Sequence, residues 1–143
     1  MIACDTNLLL YAYNAVDPRH TLARNRLKAA LTGNEQVGLA WPVISGFLRL
    51  STNSRAFLQP FEMSEAVAIV TRWLKQPNLI LLEPTNRHWS ILSQLLLSGQ
   101  VRGDKTTDAE IAALAMEHGA VLHTANRDFA RFPGLRTFNP LAS

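Results

Sequence analysis

The sequence has a single cysteine, Cys4. One thiol excludes an intramolecular disulfide and points to a reducing compartment. Its place in an apolar opening stretch assigns it to the core, because a nucleophilic thiol needs exposed, electropositive surroundings. No apolar run approaches the ~20 residues that cross a bilayer. No basic region followed by an apolar one opens the chain, so a secretory signal is not expected. No block of like charges appears, which removes a disordered basic tail as an explanation for binding. Neither G-x-x-x-x-G-K-[ST] nor G-x-G-x-x-G occurs, which disfavours a nucleotide-binding enzyme or small-molecule phosphatase. A soluble, cytoplasmic protein without a membrane partner is expected.

The 143 residues suit one domain over positions 1–143 with one core. Hydrophobic residues are 48% and charged residues 17%, a globular composition. The net charge of +3 and pI near 9.5 permit an anionic partner such as nucleic acid without requiring one.

Short apolar runs alternate with helix-period segments, which predicts an α/β fold with a largely parallel sheet. Strands are expected at Ile2–Cys4, Gln36–Trp41, Leu79–Leu82 and in "AVLHTA", with a short fifth in "RTFNPL". A helix is expected from Asp17 as N-cap and Pro18 as first residue to Gly33, and another from Pro42. Ser64 should cap a helix burying Val67, Val70, Trp73 and Leu74. Thr85 should cap one whose stripe is Trp89, Leu92, Leu95 and Leu96, ended by Gly99. "TTDAEIAALAMEHG" reads as a helix with Ile111, Leu114 and Ala115 inward and Gly119 as its stop.

Only 11 residues are acidic, so their placement is informative. Asp5 follows the first strand, Asp128 follows "AVLHTA", and Asp108 stands in a first helical turn. Sites in open parallel sheets form outside the carboxyl ends of the strands, so the three can converge there. Close carboxylates repel unless a cation neutralises them. Hard oxygen ligands without His or Cys suit Mg²⁺ or Mn²⁺, the apparatus of phosphodiester hydrolysis. Each acid also has a structural reading. Asp5 can cap a helix beginning near Asn7, Asp108 complements a helix dipole, and Asp128 can cap the turn "DFARF". Glu110 fits a capping box from Thr107.

"MIACDTNLLLYAY", "FLRLST", "TTDAEIAALAMEHGAVLHTANRDFARFPGLR" and "NPL" together resemble a PIN domain, in particular the VapC-type ribonuclease toxins of toxin–antitoxin pairs. The resemblance runs from Met1 to about Leu141. It implies a three-layer sandwich with a four- to five-stranded parallel sheet between helices. It also implies an acidic pocket for Mg²⁺ or Mn²⁺, endonucleolytic RNA cleavage, a cognate antitoxin and a homodimer. Carried over by motif, Asp5, Asp108 and Asp128 are the catalytic, metal-binding acids, Thr6, Asn7 and Thr124 orient them, and Asn126 is a supporting residue.

Two positions depart from that pattern. Gly46 stands where many PIN domains carry a Glu, and Asn126 where many carry an Asp. Asp104 in "GDK" is a further carboxylate nearby in sequence, and Arg49 in "FLRL" is a candidate partner for a carboxylate or a phosphate. The missing acid leaves an alternative: a PIN-fold RNA- or antitoxin-binding protein with a weakened or inactive site.

Overall fold

The computed structural model describes residues 1–142. In chain order the elements are β1 (Ile2–Cys4), α1 (Thr6–Tyr13), α2 (His20–Leu31), β2 (Val37–Leu39), α3 (Trp41–Ser51), α4 (Met63–Leu74), β3 (Leu79–Leu81), α5 (His88–Ser98), α6 (Lys105–Glu117), β4 (Val121–His123) and β5 (Thr137–Phe138). A 3₁₀ segment, Arg127–Arg131, lies between the last two strands.

The five strands pair in the order β3-β2-β1-β4-β5, every pair parallel. With the helices around it, this sheet forms the expected three-layer α/β sandwich. The chain winds outward from β1 through β2 to β3, then returns to place β4 on the other side of β1. The winding direction therefore reverses between β1 and β4, and such a switch point opens a crevice outside the carboxyl ends of the strands. The register Cys4↔His123 brings those two ends level.

Tyr13, Phe47 and Trp73 lock α1, α3 and α4 together. The Phe47 and Trp73 rings lie 4.7 Å apart at 62°, and the Trp73 indole N–H donates to the Tyr13 hydroxyl at 3.0 Å. Both contacts have the edge-on geometry and satisfied polar atom that buried aromatics favour. Cys4 is buried as expected, its thiol pushed up to about 12 by burial and by the neighbouring Asp5 charge. Among the described residues, no helix is long and apolar enough to cross a membrane.

Several local expectations shift. Strand β2 ends at Leu39, and Trp41 opens α3 with Pro42 in its first turn, where a locked φ costs no hydrogen bond. Asp17 and Pro18 precede α2, because Asp17 turns back to bind Arg19, through its backbone N–H at 2.8 Å and its side chain at 2.9 Å. Glu62, not Ser64, caps α4, and it forms a reciprocal capping box with Glu65. The buried stripe of α4 is Ala66, Ile69, Val70 and Trp73, and Val67 and Leu74 are exposed. The box expected from Thr107 to Glu110 does not form, because α6 starts at Lys105 and places Thr107 inside the helix.

Thr85 lies ahead of α5, and Trp89 is 69% exposed. The reason is Glu117, buried at the end of α6. It accepts from the Thr85 backbone N–H at 2.8 Å, from the Thr85 hydroxyl at 2.7 Å, and bonds the His88 ring. His88 takes the inward position of the first turn, which leaves Trp89 outside. Gly119 closes α6 with φ of 66°, a left-handed conformation that glycine adopts without strain.

Candidate active site

Asp5 is the residue at which β1 becomes α1. Its backbone is still extended (φ −80°, ψ 154°), and its Oδ1 accepts from the Thr6 backbone N–H at 2.7 Å, so the helix-capping reading holds. It is nonetheless only 4% exposed. The second carboxylate oxygen, Oδ2, accepts the hydroxyl of Thr124 at 2.8 Å, directly after β4. Thr124 Oγ1 in turn accepts from the Asn126 backbone N–H at 3.0 Å, and Asn126 Oδ1 accepts from the Asp128 N–H at 2.9 Å. A continuous hydrogen-bonded chain thus runs from the 3₁₀ segment to Asp5 across the switch point. Thr124 thus bonds Asp5 directly, and Asn126 bonds both Thr124 and Asp128.

Burial pushes the Asp5 carboxyl above its ordinary range. The bonds from Thr124 and Thr6 work against that rise, and the nearby Asp108 charge adds to it. Asp108, in the first turn of α6, is half-buried and also raised. Burial acts first; Lys105 opposes it, while Asp128 and Asp104 reinforce it. Asp108 thus links the acids, its charge acting on Asp5 while it responds to Asp128.

Asp128 behaves differently. It is exposed, and its Oδ2 accepts from Lys105 Nζ at 2.7 Å, which holds its carboxyl below the usual range. Lys105 Nζ also stands 4.0 Å from Asp108 Oδ2. Among the described residues, no three His, Cys, Asp or Glu side chains are spaced to hold one metal ion. The structure therefore places Asp5 and Asp108 near one another and leaves Asp128 engaged by a lysine. Sequence reading missed Lys105. The available signal was its position three residues before Asp108 on one helix, where side chains meet.

Gly46 borders this site. It is buried on α3, and a Cβ built there would lie 3.1 Å from Thr6 Cγ2 and 3.2 Å from Thr6 Oγ1. The space in which the PIN resemblance leads one to expect an acid is here filled by the close approach of α1. Asn7, half-buried in α1, makes no side-chain hydrogen bond among the described residues. Arg49 is exposed and pairs with none of the acids, so it does not serve as their counter-ion here. A cavity of about 430 Å³ lies between α1, α2 and α4, lined by Arg24, Lys28 and Arg72, but none of the three acids reaches it.

A parallel α/β sheet with a buried carboxylate at its switch point and a second, half-buried one nearby is the arrangement the chain presents. Residues 2–135 match the PIN domain model, and the chain belongs to that family. Its relatives within the family are VapC ribonucleases. Ribonuclease VapC33 of Mycobacterium tuberculosis is 38% identical over 141 residues, covering 99% of each chain. Ribonuclease VapC37 of the same organism is 38% identical over 138 residues, covering 96% of each. The fold matches the crystal structure of M. tuberculosis VapC20, a sarcin–ricin loop cleaving toxin, with TM-score 0.68 and 22% identity over 95% of this chain and 99% of that one. It also matches VapBC-1 of nontypeable Haemophilus influenzae, with TM-score 0.69 and 18% identity over 99% of this chain and all of that one.

Proposed function

We propose that this chain is a Mg²⁺- or Mn²⁺-dependent endoribonuclease, the toxin of a toxin–antitoxin pair acting in the cytoplasm. The observation that carries the reading is Asp5: a carboxylate 4% exposed, raised by burial, and held by two donors beside a second raised carboxylate. Such a pair is expensive without a cation. The full-length VapC ribonuclease relatives supply the substrate class, RNA.

The residues fit a hard ion. Mg²⁺ is characteristically held by one or two carboxylates, with water and substrate phosphate completing its shell. Asp5 and Asp108 provide that pair. When bound, the ion supplies Lewis-acid charge for the phosphate and lowers the pKa of water. The chain's own contribution is orientation. Thr124 and the Thr6 N–H hold both Asp5 oxygens, and α6 carries Asp108 in its first turn, toward the positive end of the helix dipole. Asp128 joins when Lys105 moves to a phosphate, which attracts an ammonium as readily as a carboxylate does. The partners proposed are RNA, a cognate antitoxin and a second copy of the chain. Exposed Trp89 and Leu97 on α5 support a covered face. VapBC complexes among the structural neighbours support the antitoxin. The alternative of an inactive RNA- or antitoxin-binding protein is not favoured, because the full-length relatives are ribonucleases.

The test is RNA cleavage by the purified protein with Mg²⁺, Mn²⁺ or EDTA, beside Asp5→Asn and Asp108→Asn. Metal-dependent cutting that both substitutions abolish supports the reading.

A further inference from the structure

A second recess adjoins the acids. At the carboxyl ends of β4 and β5 lies a cavity of about 360 Å³, within the ~300–1,000 Å³ that small-ligand sites occupy. Thr124, Asn126 and Arg127 form one side, and Phe138 and Asn139 the other. Thr124 is common to both places: it lines this cavity and donates to Asp5 at 2.8 Å. Whatever occupies the cavity therefore sits one residue from the buried carboxylate.

The lining is specific in character. Phe138 is 55% exposed although it ends a strand, so the core does not account for its ring. The His123 ring packs beside it, with centroids 5.1 Å apart and planes at 57°. Arg127 is exposed and has no ion-pair partner among the described residues. Asn126 and Asn139 each use Oδ1 to accept a backbone N–H, from Asp128 and Leu141 respectively, both at 2.9 Å. Those bonds set the amides so that their NH₂ groups are the free ends. The cavity thus offers an aromatic face, two amide donors and a guanidinium, and none of the residues named is acidic. That set complements a ligand that is flat, rich in acceptors and anionic.

We propose that this cavity is a nucleobase subsite, in which Phe138 stacks a base of single-stranded RNA while Asn126, Asn139 and Arg127 address its acceptors and adjoining phosphate. Single-stranded RNA is recognised through such stacking and through donors to base edges. The inference rests on the ribonuclease reading for the identity of its ligand. It adds a stacking platform beside the acids that holds a base whatever its identity.

Binding is measured without cleavage, by fluorescence anisotropy of short labelled single-stranded RNAs in EDTA with the Asp5→Asn protein. Phe138→Leu in that background weakens binding about tenfold, the scale of one lost stack, and Phe138→Tyr does not. RNA with abasic positions binds the Asp5→Asn protein as weakly as intact RNA binds the leucine variant. Equal binding by Phe138→Leu, equal binding of abasic RNA, or no binding of any RNA in the panel overturns the subsite. The two readings separate cleanly. Phe138-dependent binding with no cleavage by the unmodified protein sinks the nuclease reading alone; cleavage with binding indifferent to Phe138 sinks the subsite alone.

Discussion

The hydroxyl of Thr124 donates to Asp5 Oδ2 at 2.8 Å, joining residues 119 positions apart. The parallel pairing of β1 with β4 makes that contact possible, since Asp5 and Thr124 each follow the last residue of their strand. Thr124→Val keeps the shape and removes both the donor to Asp5 and the acceptor for Asn126. The expected result is a loss of ~1–3 kcal/mol in urea unfolding, the cost of stranding buried polar partners. Cleavage should fall sharply with it. Thr124→Ser retains both bonds and should retain activity; equal damage from the two substitutions would contradict the orienting role.

Lys105 stands between two of the acids, with Nζ 2.7 Å from Asp128 Oδ2 and 4.0 Å from Asp108 Oδ2. Lys105→Met should therefore tighten Mn²⁺ binding to the RNA-free protein severalfold, measured by titration calorimetry. Adding Asp128→Asn should remove the gain. An unchanged dissociation constant in Lys105→Met would show that the lysine does not compete with the ion.

Gly46 and Thr6 are coupled by contact. Replacing a helix-interior glycine by alanine ordinarily stabilises by about 1 kcal/mol. Here the new Cβ would meet Thr6 Cγ2 at 3.1 Å. Gly46→Ala alone should lower the melting temperature, and the same change on Thr6→Ala, which removes both the Cγ2 at 3.1 Å and the Oγ1 at 3.2 Å, should raise it. Additive effects in the double-mutant cycle would show that α1 yields freely at this point.

How much of this was legible beforehand follows from the range of each interaction. Asp5 was legible because a carboxylate between an apolar strand and a helix has few explanations, and Pro42 and Gly119 announced themselves through backbone constraint. The PIN resemblance foresaw the parallel sheet. Faces were less secure, since a one-residue error in phase turns a helix by about 100°. The expected stripe therefore contains Val67 and Leu74 where the buried one contains Ala66 and Ile69. Contacts closed only by the tertiary fold were invisible: Lys105 to Asp128, Thr6 against Gly46, and Glu117 gripping Thr85 and His88.

Glu117 gives a pH signature remote from the active site. Burial raises its carboxyl, but the bonds from His88 and Thr85 outweigh this and hold it below the ordinary 4.5. The unfolded chain therefore binds its proton more readily than the folded one. Its stabilisation is fully present above about 4.5 and is lost as pH falls through the lower folded value. Glu117→Gln should melt lower than the parent at pH ~7, and the gap should close on acidification. A gap that stays constant with pH would contradict the assignment.

The most direct test of the central claim is cleavage of a mixed RNA pool by the purified protein, with Mg²⁺, Mn²⁺ or EDTA, alongside Asp5→Asn and Asp108→Asn. The expected result is cuts that need the metal and vanish in both variants, although asparagine at position 5 still caps α1 and preserves the fold. Cutting that persists in EDTA or survives Asp5→Asn would contradict it, as would a folded, RNA-binding parent that cuts under neither metal.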